Sequence, residues 1–316
     1  MLSVNRHIPV MLNEIRDFIP RDKKINVIDA TFGGGGYSKE LLENYNINNL
    51  LAIDRDPITK VFAKKLNENF KNFTLRIGNF SKIDELVKKN NKLKKIIFDV
   101  IIFDLGLSSN QLDDPKRGFS FLNDGPLNMN MGNAKINAYE IVNKFSEKEL
   151  SNIFFNLGEE RFSKRIAKKI VNVRKKEIIK NTKHLSDLIY NSIPTLISKK
   201  SKINPSTKTF QALRIYVNDE IKEIKTALKK SIKLLNKDGK LIVVSFQSLE
   251  DRIVKDFFNH NCGKRWRSSR HYPELADEGP ITFKLITKKP IRPKEQEIKL
   301  NPRSRSAKLR VVQKII

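Results

Sequence analysis

An α/β fold, an open doubly wound parallel sheet carrying an all-helical insertion, is predicted by three observations. Between about residues 25 and 106, short apolar runs alternate with amphipathic stretches, the pattern of βαβ units. After Leu105 that pattern gives way to a Gly-, Asn- and Pro-rich segment and a series of helical stretches, and it resumes near KLIVVSF. Four glycines follow the first apolar run directly, in VIDATFGGGGYS, at the turn where doubly wound sheets bind nucleotides.

The elements follow in order. NVIDAT, LLAIDR, FTLRIGNF and FDVIIFDLG are the strand candidates. YSKELLENY, PITKVFAKKLNEN and SKIDELVKKN lie between them, with apolar residues at helical spacing and Pro57 suited to a first helical turn. Right-handed crossovers then build the open sheet. The polar segment SSNQLDDPKRGFSFLNDGPLNMNMGN leads into the helical stretches SEKELSNIFFNLG, ERFSKRIAKKIVNVRKK and TKHLSDLIYNSI. One long helix is expected through TFQALRIYVNDEIKEIKTALKKSIKLL, followed by the strand KLIVVSF and the helix SLEDRIVKDFF. ITFKLITKK and AKLRVVQKI are expected to close the sheet as a final pair. Residues 1–111 and 207–316 therefore form one α/β domain, interrupted by a helical insertion at 112–206.

With 316 residues, 39% hydrophobic and 31% charged, the chain can bury a sizeable core. A peptide hormone, a bare DNA-reading module and a disordered chain are excluded. No apolar run approaches the roughly 18 to 20 residues of a membrane span, and MLSVNRHIPVML lacks the apolar region of a secretory signal, so a cytoplasmic protein with no membrane partner is expected. Cys262 is the only cysteine and the four histidines are scattered, which forbids an internal disulfide and argues against a metal site. The formal charge of +27 attracts polyanions, but a lysine-rich composition with abundant Asn and Ile is also what an AT-rich gene encodes. Nucleic-acid contact must therefore be sought where cations gather on one element. In GEERFSKRIAKKIVNVRKK, Phe162, Ile166, Ile170 and Val173 form one apolar stripe, and Arg161, Lys164, Arg165, Lys168, Lys169, Arg174, Lys175 and Lys176 cover much of the rest. A phosphate-contacting face and a merely solvated one weigh equally there. KKPIRPK and NPRSRSAKLR form a second, weaker candidate.

The glycine loop offers backbone amides and a helix N-terminus to a cofactor. Asp54 ends the next strand about 20 residues on, the place of a carboxylate that binds ribose hydroxyls. NAD and S-adenosylmethionine both fit these two features. Asp29, at the end of the first strand, separates them: a carboxylate there opposes a pyrophosphate and suits a sulfonium and an ammonium, although it also suits a turn cap. Asp104 ends the fourth strand, in the crevice where such sheets place their chemistry. Amino-group methyltransferases commonly carry an acidic or polar residue, two prolines and an aromatic ring at that point. DLGLSS keeps the acceptor and lacks the ring, so a base-stacking residue must come from elsewhere, with Tyr37, Phe119 and Phe121 as candidates. Methylation of a ring carbon needs a cysteine nucleophile, and Cys262 lies outside any strand-end site, so the pattern leans toward an amine.

HIPVMLNE, DATFGGGGYS, LLAIDRDP, DLGLSSNQLDDPKRGFSF, GEERFSKRIAKKIV, TFQALRIYVNDE, SFQSLEDRIVKDFF and NPRSRSAKLR together resemble the bacterial 16S ribosomal RNA cytosine-N(4) methyltransferases, the MraW/RsmH family, nearly end to end. The resemblance implies a Rossmann-like S-adenosylmethionine-dependent methyltransferase sheet with an inserted helical RNA-recognition domain, acting on the exocyclic amine of a specific cytidine in the decoding region. It implies S-adenosylmethionine held by Gly35, Gly36, Tyr37, Asp54, Phe80, Asp104 and Gln111; as the catalytic group, Asp104, or a carbonyl beside it, is expected to accept a hydrogen bond from the amine and help it shed a proton. It implies 16S rRNA as partner, within the small ribosomal subunit, while a homodimer stays open. Four positions depart from the family pattern: Tyr37 and Gln247 stand where histidine is usual, and Asn128 and Asn130 where an acid and an arginine are usual. A nicotinamide-dependent oxidoreductase is the alternative on fold alone, and Asp29 argues against it. A catalytically weakened RNA-binding assembly factor is the alternative suggested by the four departures.

Overall fold

Alternate residues of the central strands face opposite ways, and helices cover both faces, which is why these strands are apolar almost throughout. The computed structural model describes residues 9–132, 134–194, 204–264 and 280–316; His7 and Ile8 of the opening motif lie outside the described residues. Two compact units emerge, Met1–Gly106 with Lys222–Ile316, and Leu107–Ile221.

In the first unit the elements are α1 (Leu12–Arg16), β1 (Ile25–Asp29), α2 (Gly36–Asn44), β2 (Ile47–Asp54), α3 (Thr59–Asn69), β3 (Phe73–Ile77), α4 (Ile83–Lys88) and β4 (Phe98–Asp104). The four predicted strands all form. Pro57 lies just ahead of α3, in the turn where the Lys60 amide bonds the Pro57 carbonyl. Val27, Leu50, Ala52, Val100 and Ile102 face one apolar layer; Ile28, Leu51, Ile53, Ile101 and Phe103 face the other. The sheet has seven strands in the order β3-β2-β1-β4-β5-β7-β6, where β5 is Leu235–Ser245, β6 Phe283–Leu285 and β7 Lys308–Lys314. β1 to β5 are parallel, whereas β7 runs antiparallel between β5 and β6. A dinucleotide fold continues beyond its switch point with three further parallel strands; here β4 and β5 are the first two, and the antiparallel β7 stands where the third would be.

The second unit contains α5 (Ser109–Asp113), α6 (Ala138–Lys144), α7 (Glu147–Gly158), α8 (Ser163–Arg174), α9 (Thr182–Tyr190) and α10 (Ser206–Asn218). Capping boxes start three of these helices, Ser108 with Gln111, Asn137 with Glu140 and Ser146 with Glu149, each satisfying amides that the helix itself leaves unbonded. Its core joins Ile141, Leu150, Phe154, Ile166, Ile170 and Leu185.

Two expectations are corrected. The single long helix is two, because Asp219 adopts a left-handed conformation (φ 50°) that ends α10, and α11 (Glu220–Leu234) begins afresh. The second domain limit also moves. The helical unit continues past residue 206 to Ile221, since Phe210, Ala212, Leu213 and Val217 of α10 are buried in its core. β5 is followed by α12 (Ser248–Asn261), and α13 (Glu295–Leu300) precedes β7.

Candidate active site

In the sheet unit, the chain runs from β1 to β2 and β3 on one side, and to β4 and β5 on the other. Open α/β sheets bind ligands beyond the carboxyl ends of their strands at such a reversal. The loop after β1 is pinned there from both sides: the Ala30 amide bonds the Ile102 carbonyl and the Phe32 amide the Ile53 carbonyl, both at 2.9 Å. Gly33 and Gly35 then turn through positive φ (53° and 79°), which only glycine adopts freely, and Gly35 leads directly into α2. A Cβ at Gly35 would lie 2.7 Å from the Phe32 ring, and one at Gly36 would collide with the Pro9 ring.

Asp54 faces this loop. Its Oδ2 accepts from the Gly33 amide at 2.7 Å and its Oδ1 from the Asp56 amide at 2.8 Å, and burial raises its pKa to about 6. Asp104, at the end of β4, has its amide bonded to Thr31 Oγ1 at 2.6 Å, while its buried Oδ1 has no hydrogen-bond partner. Burial, with the charges of Asp29 and Glu250 next, pushes its carboxyl well above the usual range. Phe80 opens the turn after β3, half-buried, with its ring edge-on to Phe103 of β4 at 5.7 Å between centroids.

Other sequence-derived roles change. Asp29 is fully buried, with Oδ2 accepting from Ser38 Oγ at 2.6 Å and Oδ1 from the Thr31 amide at 3.3 Å, so its carboxylate braces the turn instead of facing a ligand. The Tyr37 hydroxyl donates to the Val10 carbonyl, and its buried ring anchors the segment before α1; it is no base platform. In the helical unit, Phe119 is buried, which removes it as a base platform, and the half-buried Phe121 packs edge-on against Phe210 at 5.1 Å. Gln111 also belongs to that unit: its side-chain carbonyl accepts from the Ser108 amide at 3.1 Å, closing the α5 cap.

The basic helix divides likewise. Ile166 and Ile170 are fully buried, and Arg161, Lys164, Arg165, Lys168, Lys169, Lys175 and Lys176 are exposed. Arg174 is not available for phosphate: its guanidinium donates to the carbonyls of Val142 and Phe145, capping the end of α6. In the weaker tail candidate, Arg310 and Lys308 are paired with Asp251 on α12, Arg310 through two bonds of 2.7 and 3.1 Å. One of the departures also has a structural role: Asn130 Oδ1 accepts from the amides of Gly132 and Ala134.

Three residues of the site carried no assignment in the sequence reading. Thr31 ties β1 to β4 through Asp104. Glu250 caps α12, accepting from the Phe246 and Gln247 amides, and its charge adds to the upward push on the Asp104 carboxyl. Glu14 on α1 is 7% exposed, and its Oε2 is buried without a partner. Among the described residues, none of Asp29, Asp54, Asp104, Glu14 and Glu297 forms an ion pair, although the chain carries 62 lysines and arginines. No group of three His, Cys, Asp or Glu among the described residues is placed to hold a metal. The Cys262 thiol is pushed up to about 11 by burial, away from the thiolate a nucleophile requires.

A pH dependence follows. Asp29 and Asp54 have native pKa values of about 6, above the roughly 4 of an unfolded chain, so the native state holds the extra protons. Their contribution is full below pH ~4 and is lost as pH rises through 6, on the order of 3 kcal/mol for the fully buried Asp29. In thermal melts, substitution of Asp29 by Asn is expected to flatten the decline in Tm between about pH 4 and 6; an unchanged decline rejects the assignment.

The model of the MraW methylase family matches residues 4–315. The chain belongs to the MraW methylase family. Within it, a Rickettsia bellii protein named ribosomal RNA small subunit methyltransferase H is 46% identical over 98% of this chain and 99% of its own length. A Wolbachia pipientis protein of the same name is also 46% identical, over 98% and 99%. Among solved structures, an rRNA methylase from Streptococcus thermophilus aligns over 98% of this chain and 99% of its own, at 10% identity and a TM-score of 0.42. As an MraW family member the chain presents its glycine loop, Asp54 and Asp104 together at the switch point of one sheet. Among the described residues no helix is long and apolar enough to cross a membrane.

Proposed function

We propose that this chain is an S-adenosylmethionine-dependent methyltransferase acting on the N(4) amine of a specific cytidine in the decoding region of 16S rRNA, in the cytoplasm and on the small ribosomal subunit. One observation carries the cofactor assignment: carboxylates without cationic partners surround a glycine loop in a chain of formal charge +27. Such a site opposes a pyrophosphate and favours a nucleoside bearing positive charge. The orphaned Asp104 Oδ1 and the cradle that a Cβ at Gly35 or Gly36 would fill both fit S-adenosylmethionine. The names of the relatives support the RNA substrate.

When bound, the cofactor supplies a methyl group on a positively charged sulfur, open to in-line attack by an amine. Gly35, Gly36 and the backbone at Tyr37 hold its methionyl end. Asp54, whose oxygens each keep a lone pair beyond their amide bonds, accepts from the ribose hydroxyls. Phe80 packs against the adenine. Asp104 Oδ1 accepts a hydrogen of the cytosine amine, orients its lone pair and takes up the proton released as the new N–C bond forms. Gln111 enters on the family resemblance. The exposed cations of α8 contact RNA phosphates.

The test incubates the protein and methyl-labelled S-adenosylmethionine with small-subunit particles from a strain lacking this modification, then identifies labelled nucleosides. Label in N(4)-methylcytidine is expected. No label in RNA, beside an active control enzyme, overturns the proposal and favours the assembly-factor reading.

A further inference from the structure

The segment before β1 lies on the glycine loop. Pro9 stands where a Cβ on Gly36 would be, the Val10 carbonyl accepts from the Tyr37 hydroxyl, and the Met11 amide donates to Glu297 Oε1 at 2.6 Å. One turn later comes Glu14, more than nine-tenths buried, with Oε2 unpartnered and no ion pair among the described residues. The Tyr37 phenol feels the charges of both Glu14 and Asp104, as well as those of Asp29 and Glu297. A buried carboxylate without a hydrogen bond or a counter-ion is costly, and it persists where a ligand completes it.

We infer that Glu14 is the counter-ion for the α-ammonium of the cofactor, an assignment that rests on the S-adenosylmethionine reading above. Asp54 is taken by the ribose and Asp104 by the transferring end. Glu14 is carried by the segment that packs on Gly36 and Tyr37, the residues that hold the methionyl end. The positive group remaining there is the ammonium, and Glu14 is the carboxylate remaining to meet it.

Calorimetric titration with two nucleosides tests this. S-adenosylhomocysteine keeps the ammonium, whereas 5′-methylthioadenosine has the same adenosine and thioether without the amino-acid end. Glu14→Gln is expected to weaken S-adenosylhomocysteine about tenfold to a hundredfold while leaving methylthioadenosine unchanged, the loss of one charge-assisted contact. Glu14→Asp should recover part of the difference. The ratio of the two affinities is the readout, so a partly misfolded variant, which lowers both, does not imitate the effect. If Glu14→Gln fails to fold, Glu14→Asp is read by the same ratio, expected to fall severalfold. Unchanged binding of S-adenosylhomocysteine, or equal loss for both nucleosides, overturns the inference. If the unaltered chain binds neither nucleoside, the cofactor reading itself falls.

Discussion

Replacing Asp104 with Ala is expected to slow methyl transfer by a factor of about 10² to 10⁴, the usual worth of a positioned acid or base. The expectation rests on an atom: Oδ1 is buried, lacks a partner and stands at the end of β4, between the reach of Asp29 and of Glu250. Burial, and after it those two charges, raise its pKa, so the ionised form that accepts the amine hydrogen is lost on the acid side. Single-turnover rates across pH check this. The unaltered enzyme should slow toward acid, and Asp104→Asn, which keeps an acceptor but cannot take a proton, should be slow at every pH. A normal rate in Asp104→Ala removes Asp104 from the chemistry.

The second large effect concerns RNA. Lys164, Arg165, Lys168 and Lys169 are exposed on α8, and none is ion-paired among the described residues. Changing all four to Glu should weaken RNA binding a hundredfold or more at low salt. It should also flatten the dependence of log affinity on log salt by about 3, roughly 0.7 for each lost phosphate contact. Stability should hardly move, since exposed charges away from caps and cores contribute little. Filter binding over a salt series gives both numbers, and an unchanged slope makes this face a solvated one. Arg174, in the same sequence run, is left out of the set because its cost would be a lost helix cap.

The contrast between Arg174 and Lys168 shows where sequence reading stops. Both sit in one basic stretch, and hydrophobic periodicity separates Ile166 and Ile170 from them but says nothing about which cation reaches a carbonyl 32 residues earlier in the chain. The sheet was legible because strands buried on both faces read as apolar runs, and NVIDAT or FDVIIFDLG admits little else. Asp219 was not, since the apolar face of TFQALRIYVNDEIKEI continues across a residue whose backbone reverses hand. In the site, Asp54 and Asp104 could be placed because each lies at a strand end, and Gly35 and Gly36 because they lie between a strand and the helix after it, where position implies neighbours. Glu14 and Glu250 could not, because their roles depend on contacts made by α1 and on a cap at the start of α12. Asp29 was legible as important, and of the two roles open to it the turn-bracing one depends on Ser38 of α2, a contact that sequence position alone does not show.

The position of β7 bears on how such a chain comes into being. The segment 308–314 is the strand farthest along the sequence, yet it occupies an interior place, hydrogen-bonded to β5 on one side and β6 on the other. Until it emerges during synthesis, β5 keeps an open, strongly apolar edge of the kind that recruits foreign strands. Glu297, which fastens the Met11 amide beside the glycine loop, emerges equally late. A nascent copy therefore covers the β5 edge and gains the Met11–Glu297 contact only in a late step of high contact order, and a messenger cut short before codon 308 yields a product with that apolar edge still open.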